Sequence, residues 1–339
     1  MKQQGVMVDW SRMSGRLLTG LVVALILALG YQALPVAAQQ ATNAANTLKV
    51  SPVRTDIEVS PGESKVVQTT ITNLTDKAIM VHPIENDFVA GDERGTPALI
   101  LDENMFAPTH SLKRFMSPLS DVVIPAKQSK TVKVTITVPS DAQAGGYFGA
   151  VRFAPTSPED GGQVNLSASV ASLILLRVPG DTVEKIDLTD FSVQQKGKTG
   201  SFFLNGNDLQ VTARFQNAGN VQVAPFGKIS VKKGSEVVYA TDFNATDPRD
   251  VILPDSARRW DVALKEADSF GHYTVLATLS YGTNNQTIEV SKSFWVVPPA
   301  ILIAGGIGLL VLIALIAGGI WMIVRRKRRP SFRNYGPRR

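Results

Sequence analysis

The side chains that could carry out catalysis are few and scattered in this sequence. The chain has no cysteine and only three histidines, His82, His110 and His272, and none of them has the spacing of a metal-ligand or catalytic motif. The lack of cysteine excludes disulfides, thiol catalysis and cysteine-ligated zinc or iron–sulfur sites. The sequence also contains neither a Gly-x-Ser-x-Gly nucleophile elbow nor a glycine-rich phosphate loop. We therefore predict no catalytic residue, no cofactor and no metal site.

Carboxylates gather in one irregular stretch of the sequence, at Asp87, Asp92, Glu93, Asp102 and Glu103. Carboxylate oxygens are calcium ligands, but the spacing is not that of an Asp-x-Asp-x-Asp-Gly loop, which favours a solvated loop surface. The fold, rather than sequence spacing, sets the separation of the acid pair in a glycosidase. A cell-wall hydrolase therefore stays an alternative function.

Four aromatic residues are the candidate ligand contacts. Phe106 and Phe115 lie in the long irregular stretch 99–119, and such loops often carry function. Tyr147 and Phe148 follow a glycine pair, a composition that can present a ring to a sugar or a peptide. The favoured interpretation is that the glycines form a turn and one ring fills the core, because strand residues alternate between two faces. The sequence leaves open whether Tyr147 and Phe148 face inward or outward.

Short strands must position these residues. Residues 131–138 alternate apolar and polar side chains most clearly, and residues 66–72 do so after a Ser-Pro-Gly-Glu turn. The stretch 99–115 has room for one short helical turn. Many short strands with closely spaced turn signals predict an all-β chain built as β-sandwiches.

The sequence also contains an internal duplication. The strand and asparagine turn of residues 66–81 are echoed by residues 209–221, and the order Ile-Pro, strand, Gly-Gly-Tyr, strand of 124–153 is echoed by 253–281. We predict two tandem Ig-like β-sandwich domains followed by one transmembrane α-helix. The predicted domains are residues 47–181 and 182–298.

The amino terminus has the pattern of a secretory signal peptide, residues 1–38. A basic segment ending at Arg16 precedes an apolar run, and Val36-Ala37-Ala38 supplies the small residues of a cleavage site. We predict cleavage after Ala38 and a polar spacer at 39–46. Because the apolar run is long, an uncleaved amino-terminal anchor stays an alternative.

The carboxy terminus predicts a membrane span at residues 300–324, which carry no charge; Trp295 precedes the span and Trp321 lies near its far end. The basic tail 325–339 follows at once, and the residues that set the topology are Arg325, Arg326, Lys327, Arg328 and Arg329. They predict a single-pass cell-membrane protein with a cytoplasmic tail and extracellular domains. Small residues recur at four-residue spacing, so weak self-association through the span stays an open alternative to ordinary helix composition. These small residues are Ala300, Ala304, Gly308, Ala314 and Gly318.

Charge is concentrated at the two ends of the chain, whose formal net charge is +6. Of the 35 lysines and arginines, three lie in 1–38 and eight in 325–339, which leaves 24 bases in 39–324. That middle region holds 28 of the 29 acids and is mildly acidic. It has no clustered basic surface for phosphates, so we predict no nucleic-acid partner.

Five short motifs of the first predicted domain follow the order of a known family: Leu48-x-Val50-Ser51-Pro52, the Ser60-Pro61-Gly62 turn, Asn73, Asp87-Phe88, and the segment from Val138-Pro139 to Gly145-Gly146-Tyr147-Phe148. With the order of signal peptide, two domains, span and basic tail, the chain resembles the WxL-interacting proteins, surface proteins of Gram-positive bacteria. The resemblance implies a peptidoglycan-binding first domain and a second domain that binds a protein partner. Residues 182–298 match that family by position and fold type rather than by motif.

These observations predict a single-pass surface protein that acts by binding or adhesion and not as an enzyme. Its predicted partners are the membrane and either peptidoglycan or another surface protein. The alternative is a structural subunit of a membrane-anchored envelope assembly of the secretion or pilus type. Pelleting with purified sacculi would favour the first function, and stable co-purification through detergent would favour the second.

Overall fold

Alternating apolar and polar residues give most of this chain a β structure. The structure is a computed structural model that describes residues 47–156 and 169–327. The signal peptide, its cleavage site after Ala38 and the spacer at 39–46 lie outside these residues, as do Arg328 and Arg329.

Nine strands form two facing sheets, which we call the first sheet pair (residues 48–178). Sheet order is β1-β3-β7 on one side and β2-β9-β8-β4-β5 on the other, with β6 also paired to β4. Only the β2–β9 contact of this pair is parallel among the described strands. The strands are β1 (Leu48–Ser51), β2 (Arg54–Glu58), β3 (Ser64–Asn73), β4 (Ile79–Ala90), β5 (Pro97–Leu99), β6 (Val122–Ile124), β7 (Ser129–Thr137), β8 (Gly145–Thr156) and β9 (Val170–Val178).

The period-2 pattern explains how the first sheet pair closes. Val132, Val134 and Ile136 of β7 point into a buried core, together with Ile71 of β3 and Phe153 of β8. The residues between them point outward, where hydroxyl pairs bridge β3 and β7. Both strands predicted from this alternation are therefore present. The short turn expected within 99–115 is a 3-10 helix at Lys113–Phe115.

A further nine strands form the second sheet pair (residues 186–296) around a separate core. Its sheets have the orders β11-β10-β13-β16 and β12-β18-β17-β14-β15. The strands are β10 (Ile186–Gln195), β11 (Lys198–Thr199), β12 (Phe202–Phe203), β13 (Leu209–Asn217), β14 (Phe226–Lys233), β15 (Glu236–Phe243), β16 (Ala257–Ala263), β17 (Gly271–Tyr281) and β18 (Gln286–Val296).

A buried asparagine ends the corresponding strand in each sheet pair. Asn73 closes β3, and its side-chain amide donates to the carbonyls of Lys77 and Ile124 at 2.7 and 3.0 Å. Asn217 closes β13, and its amide donates to the carbonyls of Val221 and Ile252 at 2.8 and 2.9 Å. In both cases one acceptor carbonyl belongs to the residue four positions after the asparagine. The other belongs to Ile124 of the Ile-Pro motif or to Ile252, which directly precedes the Leu-Pro motif. The duplication seen in the sequence therefore corresponds to one repeated tertiary contact.

The described part of the chain ends with one long helix, α1 (Pro299–Lys327). Proline suits the first turn of a helix, because its missing N–H would have no intrahelical acceptor there. The apolar side chains of α1 are exposed, and its apolar stretch is long enough to cross a membrane. The Arg325 guanidinium lies 4.9 Å from the Trp321 ring centroid at the far end. The helix contains the whole of the predicted span 300–324.

Candidate functional site

Three consecutive residues of β4 hold the irregular stretch 99–119 in place. The Asp87 carboxylate is fully buried and accepts hydrogen bonds from the backbone N–H groups of Ala107 and Lys113, at 2.9 and 2.8 Å. Asn86 donates to the Ile100 carbonyl, and Glu85 accepts from the Leu119 N–H, both at 2.8 Å. The stretch is therefore fixed against the sheet along its length.

A glycine in β8 lets this stretch approach the strand closely. A Cβ atom at Gly149 would lie 2.8 Å from Cε of Met116 and 3.0 Å from Cβ of Leu112. Such distances are shorter than carbon–carbon contact. Leu112 is fully buried as a result, and the 3-10 turn that follows it sets Phe115 beside β8.

Phe115 and Tyr147 face each other in an open cleft, which we call the aromatic cleft. Their ring centroids are 4.8 Å apart and their planes are tilted by 50°. The Tyr147 hydroxyl donates to the Gln143 carbonyl at 2.8 Å, and partial burial raises the pKa of this phenol above its usual value. The cleft encloses about 400 Å³. Its lining is Ala107, Pro108, Thr109, His110, Ser111, Arg114, Phe115, Gln143, Ala144, Gly145, Tyr147 and Asn220.

Cationic and polar groups surround the two rings. The Nδ1 atom of His110 lies 2.6 Å from the Gly146 carbonyl oxygen, and its ring centroid lies 6.4 Å from that of Tyr147. The guanidinium carbon of Arg114 lies 4.5 Å from the ring centroid of Phe106, and the Phe106 side chain is 41% exposed. The cleft therefore offers apolar ring faces next to a guanidinium, an imidazole and several backbone and amide groups. Such a set can hold a sugar ring or a peptide segment through stacking and hydrogen bonds.

The predicted ligand contacts divide into two groups. Phe115 and Tyr147 line the aromatic cleft, whereas Phe106 is not among its lining residues and contacts the cleft residue Arg114. Phe148 points to the opposite face of β8, is only 3% exposed, and packs with Phe88 and Leu175. Alternation along β8 places the two neighbouring aromatic residues on opposite faces, so Phe148 does not line the aromatic cleft. The question that the sequence left open is answered for both residues.

The second sheet pair contributes Asn220 to the cleft. The Asn220 carbonyl accepts from the Gly146 N–H at 2.8 Å, and its side-chain amide donates to the Ala144 carbonyl at 3.3 Å. A Cβ atom at Gly145 would lie 3.1 Å from that Asn220 carbonyl oxygen. The glycine pair begins β8 and leaves room for the turn of the second sheet pair that contains Asn220. The sequence had predicted instead that the two glycines themselves form a turn.

The sequence interpretation missed His110, Arg114 and Asn220 as cleft residues. His110 and Arg114 lie in the irregular stretch 99–119, but neither residue belongs to a recognisable sequence motif. Asn220 lies more than seventy residues from the rest of the cleft in the sequence, so only the tertiary structure brings it there. The one signal was the glycine pair, which indicates a close backbone approach.

Several contacts between the sheet pairs fix the position of Asn220. Glu93 accepts hydrogen bonds from the Arg214 guanidinium at 2.6–3.1 Å, and these bonds hold the pKa of its carboxyl below the usual value. The Glu93 carbonyl also accepts from the Arg259 N–H at 2.6 Å. On another side, Arg54 donates to the Arg249 carbonyl at 2.7 Å.

The connection between the sheet pairs is held by a carboxylate as well. Glu184 contacts Arg177 of β9 at 2.6 Å and accepts from the Thr283 N–H of the second sheet pair at 2.7 Å. Burial alone would raise the pKa of Glu184, but the hydrogen bonds from Arg177 and Thr283 outweigh it and lower the pKa. Glu184 therefore favours its charged form where it joins the two parts.

Three of the five carboxylates that could have bound calcium serve other contacts. Asp87 holds the loop 99–119, Glu93 binds Arg214, and Asp92 accepts from the N–H groups of Arg94 and Thr96. Over residues 47–156 and 169–327, no three histidine, aspartate or glutamate side chains are grouped so that they could hold a metal ion.

Comparison with known proteins gives only distant similarities. No family model matches the chain, and no curated protein matches it. Among solved structures, the class 5 fimbriae chaperone CfaA is 13% identical over 74% of this chain and 99% of its own, with a TM-score of 0.37. A structure of the chaperone–tip adhesin complex of CFA/I fimbriae has the same identity and coverages and a TM-score of 0.36. A structure of the Salmonella enterica SafA pilin with the SafB chaperone is 12% identical over 74% of this chain and 95% of the other, with a TM-score of 0.32.

Proposed function

We propose that this chain is a membrane-anchored binding protein that holds its ligand in the aromatic cleft. The two sheet pairs are its Ig-like domains, residues 47–181 and 182–298, and helix α1 is its single span. The observation that carries this proposal is the convergence of Phe115, Tyr147 and Asn220 from three distant parts of the chain on one open cleft.

The cleft chemistry suits peptidoglycan. This polymer combines sugar rings, which stack on aromatic side chains, with short peptides that carry carboxylates. Phe115 and Tyr147 supply the ring faces, and Arg114 supplies a cation for a carboxylate. The resemblance to the WxL-interacting proteins supports the same ligand, because the cleft residues other than Asn220 lie in the region that carries the resemblance.

The anchoring part of the proposal rests on helix α1 and its flanks. Basic residues from Arg325 onward follow the span directly, and lysine and arginine are enriched on the cytoplasmic side of membrane helices. The proposed topology therefore places the tail in the cytoplasm and both sheet pairs outside. In this orientation the cleft faces the compartment that contains the wall.

A sedimentation experiment with purified sacculi tests the proposal. The full chain in detergent should pellet with sacculi at low and at high salt, whereas Phe115→Ala combined with Tyr147→Ala should lose at least about tenfold in affinity, roughly the loss of two ring contacts of about 1 kcal/mol each. Val66→Ala is the control, because Val66 is exposed on β3 of the same sheet pair and does not line the cleft. Unchanged pelleting of the double variant would refute the cleft, and no pelleting of the wild-type chain would refute peptidoglycan.

Binding of a protein partner by strand addition is the second candidate function. Strand β15 lies at the end of its sheet, and β14 is its one neighbour among the described strands. A terminal strand offers unpaired backbone groups to an incoming strand. Val237 on β15 is 53% exposed, and Val237→Lys should block such addition. A protein that co-purifies in detergent with the wild-type chain but not with this variant would support the second candidate.

A further inference from the structure

Exposed apolar side chains gather at the end of the second sheet pair from which helix α1 departs. We call them the juxtamembrane patch: Phe202 (74% exposed), Leu204 (54%), Phe270 (48%) and Trp295 (37%). Phe203 and Phe294 of the same end point into the core instead and are almost fully buried. A cluster of large exposed apolar residues marks an interaction surface more often than an isolated one does.

The strand register brings the patch residues onto one face. Phe202 of β12 is aligned with Trp295 of β18, and Trp295 is aligned with His272 of β17. The His272 and Phe270 ring centroids lie 5.0 and 6.3 Å from that of Trp295. Because directly aligned residues of paired strands point to the same side, these rings form one continuous surface on the outer face of the sheet.

The same surface lies next to the span. Strand β18 ends at Val296 and helix α1 begins at Pro299, so Trp295 is four residues from the first helical residue. At about 3.3–3.6 Å per extended residue, the Cα atom of Trp295 can lie no more than about 15 Å from the start of the helix. Tryptophan and phenylalanine with a polar neighbour such as histidine are the side chains found at the boundary between headgroups and acyl chains.

We propose that the juxtamembrane patch inserts into the interfacial region of the lipid bilayer and seats the second sheet pair on the membrane. The lipid surface is the occupant that fits, because the patch is continuous with the membrane-directed helix through a connection of only a few residues. This inference rests on the span proposed above. According to this inference, the second sheet pair contacts the membrane through side chains of β12 and β18 as well as through its covalent connection to helix α1.

Site-directed spin labelling can test this inference in the full chain, because the sequence has no cysteine to remove. Single-cysteine variants Ser201→Cys, Thr287→Cys and Leu310→Cys are labelled and reconstituted in vesicles of phosphatidylcholine and phosphatidylglycerol. Ser201 is exposed beside Phe202, and Thr287 lies on the same outer face as Trp295 but eight residues away along β18. Leu310 reports on the span. Accessibility to oxygen and to a water-soluble nickel complex gives the depth of each label.

We expect lipid-like accessibility at residues 201 and 310 and aqueous accessibility at residue 287. Adding Phe202→Ser, Leu204→Ser and Phe270→Ser should shift the label at 201 to aqueous values and leave the label at 310 unchanged. A lipid-like label at 310 with an aqueous label at 201 in the unmodified patch would overturn this inference alone. An aqueous label at 310 would overturn the span and this inference with it. A label at 201 that stays lipid-like after the three substitutions would also overturn the role of the patch.

Discussion

Replacing Asn217 should destabilise the second sheet pair strongly, because its side chain is the hub of a buried turn. Its amide donates to the carbonyls of Val221 and Ile252 at 2.8 and 2.9 Å, and its Oδ1 accepts from the Gly219 N–H at 2.9 Å. The side chain is fully buried. Asn217→Ala would leave one donor and two acceptors without partners, at about 1–3 kcal/mol each. Since Gly219 is only partly buried and water can reach it, we expect a loss of about 2–5 kcal/mol in the free energy of unfolding.

Two further variants separate the hydrogen bonds from the loss of volume. Asn217→Asp keeps the shape but places a carboxylate oxygen opposite two carbonyl oxygens, so at neutral pH it should be at least as destabilising as the alanine variant. Asn284→Ala removes an exposed asparagine of the same sheet pair and should change the free energy of unfolding by less than about 0.5 kcal/mol.

Urea unfolding of the full chain in detergent, followed by tryptophan fluorescence, measures these effects. Trp260 packs against Phe215 and Phe243, with ring centroids at 5.8 and 5.4 Å, so it reports on the core of the second sheet pair. With a urea dependence of about 2 kcal/mol per molar, the expected loss moves the midpoint by roughly 1–2.5 M. A shift no larger than that of Asn284→Ala would refute the reasoning. An equal shift of the Trp260 signal with Asn73→Ala would contradict two separately folding domains.

Three other substitutions serve as tests. Two of them change contacts between the sheet pairs, and the third changes the core of the first sheet pair. Gly95→Ala places a Cβ 2.2 Å from Cζ of Arg258 at a φ of +88°, so it should destabilise by about 1–3 kcal/mol and speed hydrogen exchange at 250–258. The pKa of Glu93 is lowered by Arg214, so its stabilisation is present above its ordinary value of 4.5 and is lost as pH falls through the lowered pKa. Glu93→Gln should therefore reduce the difference between urea midpoints at pH 7 and pH 3. Phe153→Ala, in the first core, should cost about 3–5 kcal/mol by circular dichroism.

Periodicity predicted the strands well because each sheet has one buried and one exposed face. Strand β7 extends over Ser129–Thr137, and the alternation had indicated 131–138. Asn73 and Asn217 indicated the internal duplication correctly for the same physical reason. A buried side-chain amide at the end of a strand must have hydrogen-bond partners in fixed positions. The alternation is a local pattern, whereas the acceptors at Ile124 and Ile252 lie 51 and 35 residues from their asparagines, so only the tertiary structure identifies them.

The candidate site was less accessible to sequence reasoning, because tertiary contacts decide which residues meet. Tyr147 and Phe148 are neighbours in the sequence, yet one lines the cleft and the other is buried against Phe88. The register of β8 decides this, and a shift of one residue would exchange the two rings. Asn220 and the anchoring role of Asp87 depend on contacts across 76 and 20–26 residues, which no local motif encodes.

The proposed seating on the membrane and the proposed binding site constrain each other. Strand β13 starts at Leu209, whose carbonyl binds the N–H of Leu264 in the segment that leads to the patch residue Phe270. It ends at Asn217, three residues before Asn220 in the aromatic cleft. Eight residue steps of about 3.3 Å separate these ends by roughly 26 Å. A domain seated through its patch would therefore hold the cleft about one strand length from the patch. That separation suits a ligand outside the bilayer, such as wall polymer or a surface protein, rather than a lipid.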